Sequence, residues 1–201
     1  MLRYWKCDID KIRNELSQEF PSFDFIYDIY QPRYKDFTYD KFCLIKIPFF
    51  MYVLESLKNN FDNEKYPIHL ALINDKIDSI INRDFFAESR IRYNELYPEI
   101  PYGNFTAEYY AVECSGYSIL SFGRLLPFDY VNFSINAACK SFALFVDNDF
   151  RSKEHKDAYC KKKKEFSHEA LRLFDKFIDD FGLSDDYPRS PYKTGFKYFN
   201  D

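Results

Sequence analysis

The sequence is poor in the residues that most enzyme motifs require. Its 201 residues include only 5 glycines and 3 histidines. The glycines are too scattered to form a phosphate-binding loop, and no Gly-x-Ser-x-Gly turn is present to expose a nucleophilic serine. General acid and base chemistry would therefore depend on carboxylates rather than on histidine. No motif in the chain identifies a reaction.

The chain also lacks a membrane-spanning run and a disulfide pattern. Its longest apolar stretch, 42–57, is interrupted by Lys46, Pro48 and Glu55 and falls short of the roughly 20 apolar residues that a span requires. The N-terminus has no uninterrupted apolar segment of the signal-peptide kind. Five widely spaced cysteines without a Cys-x-x-Cys pair are typical of small buried residues in a reducing compartment. We therefore expect a cytoplasmic protein that does not enter a membrane.

An excess of positive charge is missing as well. The chain has 28 Lys and Arg against 32 Asp and Glu, a formal net charge of -4. Nucleic acids and anionic membranes require a basic footprint, so this balance argues against direct nucleic-acid binding and is compatible with a basic protein partner. The four consecutive lysines at 161–164 point around most of a helical turn, so they form no single basic patch.

Aromatic residues, by contrast, make up 21% of the chain. They supply material for a large core and for adhesive surface. Apolar residues repeat at helical spacing along most of the sequence, whereas strand-like alternation is weak. The sequence therefore predicts a single all-α domain over 1–201, an irregular bundle of about six or seven helices. It also predicts an irregular aromatic segment near 20–40, a possible subdomain break near 97–104, and an irregular C-terminal tail.

Local signals place the individual helices. The second helix, about 41–60, is apolar almost all round, which favours a position in the core, and Pro48 should kink or divide it. The third begins at Pro67 and can continue, bent, to Leu96. The other predicted helices run from Asp8 or Asp10 to Phe20, over 106–122 and 127–146, and through an apolar stripe that starts at Phe166 and closes at Gly182.

The strongest candidate for recognition is the segment 20–42, in which tyrosines and phenylalanines alternate with aspartates. Aromatic rings supply contact area at low entropic cost, and carboxylates steer and orient a basic partner. The alternative is that most of these rings belong to the core. The candidate partner-binding residues in this segment are Asp24, Tyr27, Asp28, Tyr30, Tyr34, Asp36 and Asp40.

A second acidic cluster lies at the end of the last predicted helix. Carboxylates near a helix C-terminus oppose the macrodipole, so Asp179 and Asp180 are unfavourable for local stability, which hints at a role in binding. The candidate partner-binding residues in this cluster are Asp175, Asp179, Asp180, Asp185 and Asp186.

Two patterns support an enzyme as the alternative. The Glu165-x-x-His168 pair places both side chains on one helical face, as in di-iron bundles, but the second motif of those proteins is missing. The Arg151 to His155 pair resembles the Arg-His pattern of HEPN-type ribonucleases, although three residues lie between them instead of four to six. His155, Cys160 and His168 are not spaced to converge on zinc. We expect no metal or other cofactor.

These observations favour a binding protein over an enzyme. The leading hypothesis is a cytoplasmic inhibitor that occludes a basic protein, in the manner of bacterial immunity proteins and antitoxins that neutralise cationic toxins such as nucleases. A residue usage typical of AT-rich codons fits a bacterial origin. The alternatives are an α-helical nuclease or metal-dependent hydrolase using Arg151, His155, Glu165 and His168, and a structural or regulatory homo-oligomeric module. No oligomeric state is predicted.

Overall fold

Helices account for all the regular structure in the computed structural model, which describes residues 13–19, 21, 23, 39–85, 105–122 and 130–180. A helical turn covers 13–17. Five longer helices follow: α1 (Tyr39–Lys58), α2 (Pro67–Ile81), α3 (Ala107–Leu120), α4 (Tyr130–Val146) and α5 (Lys153–Asp180). None of these described residues lies in a strand, and the predicted all-α class is confirmed.

Helix α1 occupies the centre of the described structure. It contacts each of the other four long helices, and α2, α3, α4 and α5 pack one against the next around it. Its apolar side chains are at most 1% exposed at Ile45, Phe49, Phe50, Val53, Leu54 and Leu57. The expectation that a helix apolar on every side belongs in the core is confirmed.

Pro48 does not divide α1, which runs without interruption from Tyr39 to Lys58. A proline in a helix interior removes one backbone hydrogen bond and crowds the preceding turn. The two residues that follow it are fully buried: Phe49 stacks on Phe23 at 5.7 Å between ring centroids, and Phe50 meets Phe122 at 5.8 Å. This aromatic packing offsets the lost hydrogen bond.

A buried lysine on α1 is accommodated by the end of α3. Lys46 is only 3% exposed, and its ammonium group donates to the carbonyl oxygen of Ser121 at 2.5 Å. The same ammonium lies 5.6 Å from the centroid of the Phe122 ring. Because the C-terminal end of a helix carries partial negative charge, a cation at this place is favourable.

Helix α2 begins at Pro67, as predicted, but ends at Ile81. Arg83 has a φ of 57°, in the left-handed region that a right-handed helix cannot include. The expected bent continuation of this helix is therefore wrong over 82–85, and the rest of it, from Phe86 to Leu96, lies outside the described residues. The predicted cap at Gly182, the tail after it and the break near 97–104 also lie outside them.

Small side chains join α3 to α4. The hydroxyl oxygens of Ser118 and Ser134 are 2.7 Å apart, and they lie 2.8 Å and 3.0 Å from the carbonyl oxygen of Cys114. Further along, the Ser141 hydroxyl donates to the carbonyl oxygen of Ala107 at 2.7 Å. We call this contact the small-residue seam. Its hydroxyl groups are buried and find their partners within it, so the two helices meet without an orphaned polar group.

Candidate functional site

The first predicted recognition segment falls almost wholly outside the described residues. Asp40 lies in the first turn of α1, and its side chain is not described. Phe23 is fully buried, and its backbone N–H donates to Asn132 Oδ1 at 3.2 Å. This one described aromatic of the segment therefore belongs to the core. The predicted residues outside the description are Asp24, Tyr27, Asp28, Tyr30, Tyr34 and Asp36.

The second acidic cluster is partly neutralised by the chain itself. Asp175 forms an ion pair with Arg13 at 2.8 Å, and Asp180 accepts from Lys176. Asp179 is exposed and has no such partner among the described residues. Asp185 and Asp186 lie outside the description. Exposed ion pairs contribute little to stability, but each cation here reduces the negative field that a basic partner would meet.

The residues of the enzyme alternative do not converge. His155 is buried at the start of α5, whereas His168 is exposed on the same helix. Their positions are about 20 Å apart along the axis, at a rise of about 1.5 Å per residue. Glu165 is ion-paired with Lys162, and Arg151 is exposed in the turn before α5. Within the described residues, no three His, Cys, Asp or Glu side chains are grouped to hold a metal ion.

His155 has a structural role in the α4–α5 connection. Its Nδ1 lies 2.9 Å from the carbonyl oxygen of Asp147, and its backbone N–H donates to the Ser152 hydroxyl at 3.0 Å. Hydrogen bonds from the Asp149 backbone and from Ser152, with His155 nearby, lower the pKa of Asp147. These contacts close the turn between the two helices and begin α5 with a capping hydroxyl.

His168 lines a shallow groove of about 510 Å³ between residues 13–19 and α5. Its neighbours there include Glu19, Lys164 and two serines. The Ser17 hydroxyl donates to the Arg13 carbonyl oxygen at 2.8 Å, and the other serine, Ser167, donates to a backbone carbonyl in the same segment. A hydroxyl engaged in this way is not donating to a histidine base, so the groove contains no activated nucleophile among the described side chains.

Two groups of partly exposed aromatic rings lie along the outer side of α3 and α4. Neighbouring ring centroids are 5.1 Å apart for Phe105 and Tyr109, 5.9 Å for Tyr117 and Tyr130, and 5.6 Å for Tyr117 and Phe133. Phe133 is 49% exposed and Phe105 is 36% exposed. We call these five residues the aromatic face. Rings displayed in this way are characteristic of the energetic centre of a protein interface.

A carboxylate lies in the middle of the aromatic face. Tyr109, Glu113 and Tyr117 occupy positions i, i+4 and i+8 of α3 and so share one side of the helix. The Tyr109 hydroxyl donates to Glu113 Oε1 at 2.9 Å, and the Tyr117 hydroxyl makes a longer contact of 3.4 Å with the same oxygen. No hydrogen bond to Oε2, and no ion pair with Glu113, is found within the described part of the chain.

Gly116 lies on the same side of α3 as Glu113 and Tyr117. A Cβ atom added to it would meet no heavy atom within 4 Å. Glycine in a helix interior costs roughly 0.5–1 kcal/mol relative to alanine, and no close neighbour requires it here. Open space therefore adjoins the aromatic face next to its carboxylate.

The aromatic face continues to the end of the bundle where α3 and α5 begin. The Phe105 and Tyr110 ring centroids are 5.7 Å apart, and the Tyr110 and Phe150 ring centroids are 6.5 Å apart. Phe150 is 43% exposed. At the same end, Phe145 closes α4 and packs 5.0 Å from Phe61. The exposed apolar surface thus extends from one side of the bundle onto its end.

Negative charge accompanies this surface. Burial alone would raise the pKa of Glu108, but hydrogen bonds from Thr106 and Tyr66 and the nearby His69 lower it overall. Burial and the charge of Glu113 raise the pKa of Tyr110. At neutral pH the Glu108 carboxylate is therefore ionised and the Tyr110 phenol is uncharged.

The sequence analysis predicts helices over 106–122 and 127–146 but names no recognition residue in them, so it missed the aromatic face. One signal was present in the sequence: Tyr109, Glu113, Gly116 and Tyr117 form a polar-tipped stripe on α3, opposite the small residues that pack on α4. Aromatic residues with a polar tip and a glycine on one side of a helix are poor core material.

Among the described helices, none combines the length and the apolar character needed to cross a membrane. Neither the known family models nor the curated proteins nor the solved structures include a match to this chain.

Proposed function

We propose that this chain is a protein-binding module that masks a basic partner protein, with the aromatic face as its contact surface. The observation that carries the proposal is the placement of Glu113, a carboxylate without a described cationic partner, among exposed aromatic rings. Aromatic rings supply the buried centre of an interface, and a carboxylate fixes the position of a cationic side chain against it.

Electrostatics support the same partner class. The chain carries a formal net charge of -4, and carboxylates accompany the aromatic surface. A negatively charged binder associates faster with a positively charged partner at low ionic strength, and salt slows this association. Tyrosine suits such a surface because it contributes area with few rotatable bonds and keeps a polar tip.

The concrete form we favour is a cytoplasmic immunity or antitoxin-type inhibitor of a cationic bacterial toxin, such as a nuclease. On such a toxin, positively charged side chains receive nucleic-acid phosphates. A carboxylate surface of the inhibitor would occupy those side chains, and the aromatic rings would exclude substrate from the site. The composition of the chain and its acidic aromatic surface support this form.

The test is affinity capture from the source cells with tagged full-length chain, at low and at high salt, read by mass spectrometry. We expect one basic protein in stoichiometric amount, retained less at high salt. The double variant Tyr117→Ala/Phe133→Ala should lose it, because both rings leave the aromatic face. The variant Tyr52→Ala should keep it, because Tyr52 is a partly exposed tyrosine on a different helix.

Two results would contradict the proposal. Absence of any stoichiometric partner at both salt concentrations would remove the binding function. The second is that the variant Tyr117→Ala/Phe133→Ala keeps the partner, whereas replacement of Asp175, Asp179 and Asp180 by Asn abolishes binding. That result would place the contact surface at the end of α5.

A further inference from the structure

We propose that Glu113 and the rings beside it form a receptor for one arginine side chain of the partner, and that Gly116 leaves the space which this side chain enters. The inference rests on the proposed function and specifies its central contact. It assigns a chemical identity to the group that the partner must present.

The hydrogen bonds of Glu113 leave one carboxylate oxygen available. Both tyrosine hydroxyls contact Oε1, and no described residue donates to Oε2. Lys140 of α4 directs its ammonium group to the Tyr110 ring, 4.9 Å from the ring centroid. It forms no ion pair with Glu113. A half-buried carboxylate in this state attracts a cation that arrives from outside the chain.

The surrounding rings favour arginine over lysine. The Tyr117 and Tyr130 rings lie nearly parallel, at 28°, and Phe133 adjoins both. A guanidinium group is planar and weakly hydrated, so it can lie on an aromatic face while its N–H groups donate to a carboxylate. An ammonium group is compact and strongly hydrated, and it gains less from the same surroundings.

Gly116 provides the approach. It precedes Tyr117 and follows Glu113 by three positions, so it lies on the same side of α3. A Cβ atom at this position would meet no heavy atom within 4 Å. An incoming arginine can therefore pass beside the helix backbone to reach Oε2, and any large side chain at position 116 would occupy this path.

The first test needs no knowledge of the partner. N-acetyl-arginine amide is titrated into the full-length protein while backbone amide resonances are followed by NMR. We expect saturable shifts at residues 113–117. The affinity obtained from these shifts should be weaker by about tenfold or more for the uncharged N-acetyl-citrulline amide, and equally so for the arginine compound with the variant Glu113→Gln. In both cases a charge-assisted hydrogen bond is lost.

Three outcomes of this titration would overturn the inference: no shifts at 113–117, equal shifts with the citrulline compound, or unchanged binding by Glu113→Gln. The glutamine keeps an oxygen that can accept from both tyrosines, so the variant removes the charge and preserves the local hydrogen bonds.

The second test uses Gly116. We expect Gly116→Leu to melt no lower than the native chain, because leucine favours a helix more than glycine does and a Cβ atom at this position meets no heavy atom within 4 Å. The variant should lose binding of both the arginine compound and the partner. A partner that depends on Tyr117 and Phe133 but tolerates Glu113→Gln and Gly116→Leu would refute the arginine receptor and leave the proposed function standing. Arginine binding without any protein partner would refute the function and leave the receptor.

Discussion

At the scale of the residue, Gly116 weakens the helix that contains it. Its backbone has more freedom in the unfolded chain than that of any other residue, and the open space around it supplies no contact in exchange. We predict that Gly116→Ala raises the free energy of unfolding by about 0.5–1 kcal/mol, measured by urea denaturation. A decrease in stability would mean that a close contact requires the glycine.

His69 makes stability dependent on pH. Burial lowers its pKa from the ordinary value of 6.5, although the Glu108 carboxylate acts in the opposite direction. The folded chain therefore binds this proton less readily than the unfolded chain, so stability is present above about pH 6.5 and is lost as the pH falls through the folded pKa.

We predict that the melting temperature of the native chain falls more steeply than that of His69→Gln between about pH 7 and about pH 5.5. Thermal scans monitored by circular dichroism at a series of pH values test this. Glu108, whose pKa is lowered, loses its contribution only at more acidic pH, so it does not obscure the window. Parallel profiles for the two proteins would contradict the assignment to His69.

At the scale of the element, α3 depends on its N-terminal cap. The Thr106 hydroxyl accepts from the Tyr109 backbone N–H at 3.3 Å. We predict that Thr106→Ala lowers the free energy of unfolding by about 1 kcal/mol, whereas Thr106→Ser, which keeps the hydroxyl, stays within a few tenths of the native value. Urea denaturation of both variants decides. Equal losses would assign the effect to the threonine methyl group.

Local sequence signals predict where the helices lie better than they predict which side of each helix is exposed. Pro67 at the start of α2 and the all-round apolar character of α1 are statements about a few neighbouring residues, and both are confirmed. The end of α2 depends on the left-handed backbone of Arg83, which arginine residues seldom adopt, so no residue type marks it. Its position is set by the tertiary path of the chain.

The exposure of aromatic rings is a tertiary property as well. Phe23 is in the segment predicted for recognition and lies in the core, while Phe133, in a helix for which no recognition surface was predicted, is 49% exposed. The spacing of apolar residues along the sequence is the same whether the side that carries such a ring is buried or exposed. The choice between these sides depends on which helices pack together, and the sequence pattern alone does not contain it.

At the scale of the whole molecule, four helices enclose α1 and bury two thiols between α3 and α4. Cys114 and Cys139 are fully buried, and burial raises the pKa of Cys114 to about 12. Because the thiolate is the reactive form, these two residues should resist alkylation for as long as the fold is intact. Cys160, on α5, is only half-buried.

We predict that iodoacetamide at mildly alkaline pH modifies Cys160 in the native protein and modifies Cys114 and Cys139 only in urea. Peptide mapping by mass spectrometry distinguishes the sites. Native modification of Cys114 at the rate of Cys160 would show that α3 and α4 separate without global unfolding.

The small-residue seam has a consequence for the surface above it. Tyr117 belongs to α3 and Phe133 to α4, and the seam beneath them sets the distance between the two rings before any partner arrives. The proposed contact surface is therefore preorganised, and association with a partner would require little loss of conformational freedom. A buried substitution such as Ser134→Val, which touches no partner, should then shorten the lifetime of the complex through faster dissociation.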